Sequence, residues 1–198
     1  LIAHRLIPPA MKLLVEMEDL NLNGFIAPGH VSTIIGLKPY EIFPSKYGIP
    51  TVIAGFEPLD VLFGIYMILK QLFDAKPRLE NEYTRVVRHE GNIKAQRIMR
   101  EAFEVKDGNW RGLGLIPSST LFLRQEVSEL DARLKHNVKV VHGVDLQPGC
   151  KCHLVIIGKI KPTECPLFLK VCTPKKPVGA CMVSSEGTCR IWARSRQQ

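Results

Sequence analysis

The stretch Ile49-Pro-Thr-Val-Ile-Ala-Gly55, followed at once by residues 58–73, decides the fold of this 198-residue chain. Residues 49–55 form a short apolar run bounded by turn-forming residues, which predicts a buried strand. Residues 58–73 show helical spacing of apolar side chains and begin with proline, which is well tolerated at a helix start. A buried strand that leads directly into a helix is typical of a parallel α/β sheet.

The flanking segments repeat this order of strand and helix. Residues 8–20 have helical spacing, and residues 24–28 form a second short apolar strand. Residues 81–87 are rich in β-branched side chains and predict a third strand, residues 92–103 a helix, and residues 110–116 the close of the unit. We therefore expect an α/β domain over residues 1–143, with a mainly parallel sheet and flanking helices.

Composition changes sharply near the end of the chain. Residues 151–198 contain nine Lys and Arg against two acidic residues, and all six cysteines lie from residue 150 onward. This change predicts a second, loop-rich unit over residues 144–198, joined near residues 142–149, where glycine and proline can turn the backbone. The basic residues are dispersed and not interleaved with aromatic ones, so no nucleic-acid partner is expected.

Several other classes of protein are excluded or unsupported. The apolar fraction of 45% is ordinary for a globular protein. No uninterrupted apolar run reaches the ~18 residues of a membrane span, and Leu1 to Arg5 do not resemble a secretory leader, so we expect a cytoplasmic protein. Gly112-Leu-Gly114 lacks the third glycine of a dinucleotide-binding motif.

Polar side chains follow the predicted strands. His30, Glu57 and Asp60 lie beyond the carboxyl ends of strands, where α/β sheets usually bind ligands, and are candidate catalytic residues. We expect Asn81, Arg85 and Asn92 to approach the same region. An alternative explanation for Glu57 and Asp60 is structural, because acidic residues are favoured at a helix start by the helix dipole.

The cysteine array admits three explanations. A disulfide framework is typical of small secreted chains, and structural zinc sites usually contain paired Cys-x-x-Cys motifs, which this sequence lacks. A [4Fe-4S] cluster takes four thiolates and leaves two for a redox-active pair. Spacing alone does not identify the four. The six residues are Cys150, Cys152, Cys165, Cys172, Cys181 and Cys189.

Six segments, in order along the chain, resemble the hydrogenase maturation protein family HypD. They are Pro28-Gly-His-Val-Ser32, Gly55-Phe-Glu-Pro-Leu-Asp60, Asn81-Glu-Tyr-Thr-Arg85, Cys165-Pro-Leu-Phe168, Val171-Cys-Thr-Pro174 and Cys181-Met-Val-Ser-Ser-Glu-Gly-Thr-Cys189. The resemblance implies a role in assembling the Fe(CN)2CO group of [NiFe]-hydrogenases. It also implies a HypC-type scaffold and a HypE-type cyanide donor as partners, and a transient iron carrying CN and CO ligands.

The same resemblance divides the cysteines. It implies that Cys150, Cys165, Cys172 and Cys189 bind a [4Fe-4S] cluster, while Cys152 and Cys181 form a redox-active pair. A redox-active assembly factor is then expected, rather than an enzyme that turns over alone. The family's N-terminal cysteine motif is missing here, so the chain resembles the C-terminal portion of a longer protein. The rival interpretation is a structural module tied by zinc or disulfides that docks a protein partner.

Overall fold

A computed structural model describes residues 4–17, 22–139 and 147–195. Its strands form two three-stranded sheets, one parallel with the order β2-β3-β4 and one antiparallel with the order β1-β6-β5. The strands are β1 (His4–Arg5), β2 (Phe25–Pro28), β3 (Thr51–Ala54), β4 (Leu79–Asn81), β5 (Phe103–Trp110) and β6 (Gly114–Leu123).

Helices precede, connect and follow these strands. Short 3-10 segments occur at Lys38–Tyr40, Gln125–Leu130 and Pro162–Glu164, the second of which has a kink at Val127. The α-helices are α1 (Ile7–Val15), α2 (Gly29–Ile35), α3 (Ile42–Tyr47), α4 (Pro58–Phe73), α5 (Ile93–Ala102), α6 (Ala132–Lys135), α7 (Cys152–Ile156), α8 (Ala180–Val183) and α9 (Thr188–Ser195).

The parallel sheet is buried from both sides at β3, as its continuous apolar sequence predicts. Ile53 packs with Tyr40 and Phe43 in a core where all three are fully buried. On the opposite face Ala54 meets α4 at Gly64, where an added Cβ would lie 3.1 Å from the Ala54 side chain. The carboxyl ends of β2, β3 and β4 therefore lie side by side, and the loops that follow them meet at one edge.

The prediction of a helix over residues 58–73 is confirmed, as are the strands within 24–28 and 49–55. The strand predicted over residues 81–87 is wrong, because β4 ends at Asn81 and a turn follows. This turn lets Arg85 reach Asp60 and buries Val87 in the core. Tertiary contacts thus override the strand preference of β-branched residues.

The expected α/β class is confirmed, but the sheet is not mainly parallel, because half of the strands form the antiparallel sheet. Residues 110–116, expected to close the unit, form the tip of the β5–β6 hairpin, where Gly112 and Gly114 have positive φ angles. The apolar pattern misses this hairpin because β5 carries Glu104, Lys106 and Asp107.

Two expectations lie partly outside the described residues. The helix predicted over residues 8–20 is confirmed in part: α1 covers Ile7–Val15 and is capped by Glu16, while residues 18–21 lie outside the described part of the chain. Of the expected join at residues 142–149, only 147–149 are described. Among the described helices, none has the length and apolar character needed to cross a membrane.

Candidate functional site

All six cysteines are buried and belong to one hydrophobic cluster, which is distinct from the core around Ile53. Cys152 begins α7, Cys181 lies in α8 and Cys189 lies in α9. Cys165 follows a 3-10 turn that begins at Pro162. Short helices and tight turns therefore bring thiols from 40 residues of chain to one place.

Five of these thiols line one small, enclosed cavity. Its lining carries no charged side chain, and it consists of Cys150, Cys152, Cys165, Phe168, Cys172, Gly179, Met182 and Cys189. Gly179 allows the backbone to approach closely, because a Cβ added there would lie 2.8 Å from Cys150 Sγ and 2.9 Å from Cys152 Cβ. The sixth thiol, Cys181, is not part of this lining.

Cys152 and Cys181 are the closest pair that the structure shows among these thiols. Their Sγ atoms lie 2.7 Å apart, and the Cys181 N–H donates to Cys152 Sγ at 3.2 Å. A disulfide bond between them requires the sulfurs to approach by only about 0.7 Å. Cys152 thus contacts the cavity and Cys181 at the same time.

The two thiols of this pair have opposite pKa shifts. The Cys181 thiol donates a hydrogen bond to the Cys152 sulfur, which lowers the pKa of Cys152 to about 6 although burial opposes this. The same hydrogen bond raises the pKa of Cys181. A smaller effect of the same sign on Cys152 comes from the Arg111 charge. Of the two sulfurs, Cys152 therefore has the greater thiolate character, and Cys181 is the proton donor of the pair.

Cys181, although buried, also borders a cleft outside the thiol cavity. It lines a shallow cleft of about 260 Å³ together with Ile156, Ala180, Glu186, Gly187 and Thr188. The pair therefore connects the enclosed cavity on the Cys152 side with an open cleft on the Cys181 side.

The residues present fit a [4Fe-4S] cluster in their donor chemistry. Such a cluster takes four thiolates, and its potential depends on hydrogen bonds to the sulfurs. Besides Cys152, four thiols line the cavity. The Val178 N–H donates such a hydrogen bond to Cys172 Sγ, at 3.3 Å.

A single metal ion is a different case. Over residues 4–17, 22–139 and 147–195, no group of three or more His, Cys, Asp or Glu has the arrangement that holds one ion. In a cluster, by contrast, each thiolate binds a different iron atom.

The hairpin between β5 and β6 contacts the cysteine-rich segment. Arg111, at the hairpin tip, donates to the Val178 carbonyl at 3.4 Å. Val178 in turn is the residue whose N–H reaches Cys172. The antiparallel sheet therefore supports the loop that carries one wall of the thiol cavity.

The other candidate site lies at the carboxyl edge of the parallel sheet. Arg85 donates to both oxygens of Asp60, at 2.9 and 2.7 Å, and to Glu57 at 3.3 Å. Asp60 is buried and accepts the Glu57 N–H in a capping box at the start of α4. The hydrogen bonds from Arg85 hold the pKa of Asp60 below its usual range.

These contacts separate the candidate residues. Asp60 takes part in the capping box at the start of α4, whereas the Glu57 side chain is 77% exposed. His30 is exposed and stacks on Phe56, with ring centroids 4.4 Å apart. Asn92 caps α5 by accepting the Ala95 N–H, so it does not join this cluster.

Three residues at or beside the thiol cavity were not singled out from the sequence: Gly179, Met182 and Arg111. Gly179 and Met182 line the cavity, whereas Arg111 contacts the Val178 carbonyl in the adjoining loop. Met182 is fully buried within α8, directly after Cys181, and its place in the segment from Cys181 to Cys189 is the signal that was available.

Fold and site together define a class: an α/β protein with six buried thiols gathered in one cluster. Comparison with known proteins identifies the family. The sequence profile of HypD, described as the hydrogenase formation hypA family, matches residues 1–196. The chain belongs to the HypD family.

Individual relatives agree with this assignment. A putative hydrogenase expression/formation protein of Methanocaldococcus jannaschii is 46% identical over 194 residues, which cover 98% of this chain and 54% of that protein. The hydrogenase maturation factor HypD of Escherichia coli is 42% identical over 196 residues, covering 98% and 52%. That of Azotobacter vinelandii is 41% identical over 202 residues, covering 98% and 53%. The chain spans about half the length of these relatives.

Proposed function

We propose that the protein takes part in hydrogenase maturation, in the assembly of the Fe(CN)2CO group, and that it handles electrons through its six thiols. The observation that carries this proposal is the position of Cys152. This residue lines the thiol cavity and lies 2.7 Å from Cys181. A dithiol in that position can exchange electrons with a centre in the cavity and with a reactant at the surface.

In this proposal Cys150, Cys165, Cys172 and Cys189 hold a [4Fe-4S] cluster. The cluster, when bound, supplies electrons one at a time. The excess of basic residues in this segment complements the negative charge of four thiolates. Residues 144–198 would form the domain that carries this centre, following an α/β domain over residues 1–143.

The Cys152 and Cys181 thiols supply two electrons together. Oxidation of the pair to a disulfide releases two electrons, together with one proton when Cys152 reacts as the thiolate, and reduction of the disulfide to that form takes up the same number. The Cys152 thiolate is the nucleophile of the pair because its pKa is the lower one. The cleft beside Cys181 gives a partner access to the pair from outside the cavity.

The partners proposed for this role are a HypC-type scaffold and a HypE-type cyanide donor, in the cytoplasm. The iron that receives CN and CO is the cargo of this complex rather than a resident group of this chain. Glu57 and His30, which are exposed at the edge of the parallel sheet, are the proposed functional residues there, and Asp60 positions Glu57 through the capping box.

The test is anaerobic reconstitution of the 198-residue chain with iron and sulfide, followed by metal analysis. We expect about four irons and four sulfides per chain, with absorption near 400 nm. Stoichiometric zinc without iron would favour the structural module instead.

A second measurement addresses the pair. After mild oxidation, differential alkylation and peptide mapping should find Cys152 joined to Cys181, and the other four cysteines should remain unlinked. A mixture of disulfides among all six would contradict the proposed division.

A further inference from the structure

Helix α4 carries apolar side chains on the side that faces away from the sheet. Its buried residues are Asp60, Gly64, Ile68 and Gln71. Six large apolar side chains are 54% to 92% exposed: Leu59, Leu62, Phe63, Tyr66, Leu69 and Phe73. We call these six residues the α4 stripe.

The α4 stripe is one continuous surface. At 100° per residue its members fall within an arc of about 120°, and the four buried residues fall on the opposite side of the helix. Within α4, all of which is described, Lys70 is the one exposed charged residue. A helix that is apolar all round is normally buried, since a solvated face carries charged and polar residues.

The uncovered surface continues from α4 onto the parallel sheet. Ile26 of β2 lies on the α4 side, because an added Cβ at Gly64 would meet its side chain at 3.8 Å. Nevertheless Ile26 is 45% exposed. β2 is an edge strand in the described sheet. Parallel sheets are normally covered by helices on both faces, but the face on the α4 side is left exposed at β2.

We propose that the α4 stripe and Ile26 form the docking surface for the half of a HypD protein that the relatives contain in addition to the stretch matched by this chain. The relatives contain nearly as much polypeptide again as the stretch this chain matches. An α/β layer is extended by one strand beside the edge strand and one helix over it, and that addition covers Ile26 and the α4 stripe together. This inference is independent of the redox proposal.

Other occupants fit the surface less well. A membrane-surface helix carries lysine and arginine on its polar face, whereas α4 has a single exposed lysine. Lys70 is the single charge within the arc of the α4 stripe, so a strongly charged partner would find little complementary charge there. The expected occupant is therefore an apolar polypeptide face.

The test compares this chain alone with a chimera in which the unmatched part of the Methanocaldococcus jannaschii relative is joined to it in the relative's order. The double variant Leu62→Glu/Tyr66→Glu changes two exposed residues of the α4 stripe. In the chain alone it should leave the melting temperature unchanged and reduce binding of the apolar dye anilinonaphthalene sulfonate. In the chimera, which should bind little dye, it should lower the melting temperature and restore dye binding.

The matched control is Leu134→Glu on α6, a leucine that is also exposed but lies outside the α4 stripe. It should have no effect in either protein. The proposal is overturned if the double variant leaves the chimera unaffected. A dimer of the 198-residue chain that the double variant disperses would assign the surface to a second copy. Sedimentation with phosphatidylcholine vesicles that the double variant abolishes would assign it to a membrane.

Discussion

Gly179→Ala tests the geometry of the thiol cavity with the smallest possible change. Gly179 precedes α8 with a φ of −89°, a conformation open to any residue, so its lack of a side chain serves only close packing. An added Cβ would lie 2.8 Å from Cys150 Sγ and 2.9 Å from Cys152 Cβ. Either a sulfur or the α8 backbone must shift.

The cost can be bounded from general packing energetics. Overfilling a packed interior by one methyl group costs about 1–3 kcal/mol. The shift also displaces Cys150, a proposed cluster ligand, and Cys152, which contacts Cys181. We expect a loss of stability in this range and a fall in iron bound per chain after anaerobic reconstitution.

Gly158→Ala is the matched control. It lies in the same segment and has nothing within 4 Å of an added Cβ, but its φ of +75° strains alanine. This strain costs about 1–2 kcal/mol, with no displacement of a sulfur. Urea denaturation gives the free energy of unfolding of both variants, and metal analysis gives their iron content. If Gly179→Ala keeps full iron and wild-type stability, the close approach described here is incorrect.

Three further predictions concern the α/β part of the chain. Phe43→Ala removes a fully buried ring and should cost about 3–5 kcal/mol in urea denaturation, while leaving iron binding intact where the protein is folded. Asp60→Asn should destabilise the protein, and the gap to wild type should close on acidification. The reason is that the pKa of Asp60 is lowered in the folded state, which stabilises the fold at any pH above the ordinary pKa of 3.8. This contribution is lost as the pH falls through the folded-state pKa. Melting temperatures measured over a range of pH values test the prediction. Glu57→Gln should leave the melting temperature nearly unchanged but reduce the hydrogenase activity restored in cells that lack their own HypD, and a large fall in melting temperature would make its role structural.

The sequence predicted the elements whose signals are local. The helix at residues 58–73 begins with proline after Glu57, and its apolar pattern predicts its extent. The turn at Arg85 was not predictable in this way, because it depends on Asp60, which is 25 residues distant. The β5–β6 hairpin was missed for a related reason, since its mixed, exposed side chains lack alternation.

The same distinction applies to the candidate site. The count of six thiols indicates four ligands for a [4Fe-4S] cluster and two remaining thiols, but the spacing of the cysteines does not show which two remain. The contact of Cys152 with Cys181 spans 29 residues and depends on the mutual packing of α7 and α8. Gly179 shows why the sequence could not predict this packing. A glycine that lets the backbone approach two cysteines looks the same in the sequence as any other glycine in a loop.

The most direct test of the proposed division is the iron content of two single variants after anaerobic reconstitution. Cys172→Ala removes a thiol that lines the cavity, whereas Cys181→Ala removes one that does not. We expect Cys181→Ala to retain about four irons per chain and Cys172→Ala to lose them. Equal loss of iron from both variants would contradict the account.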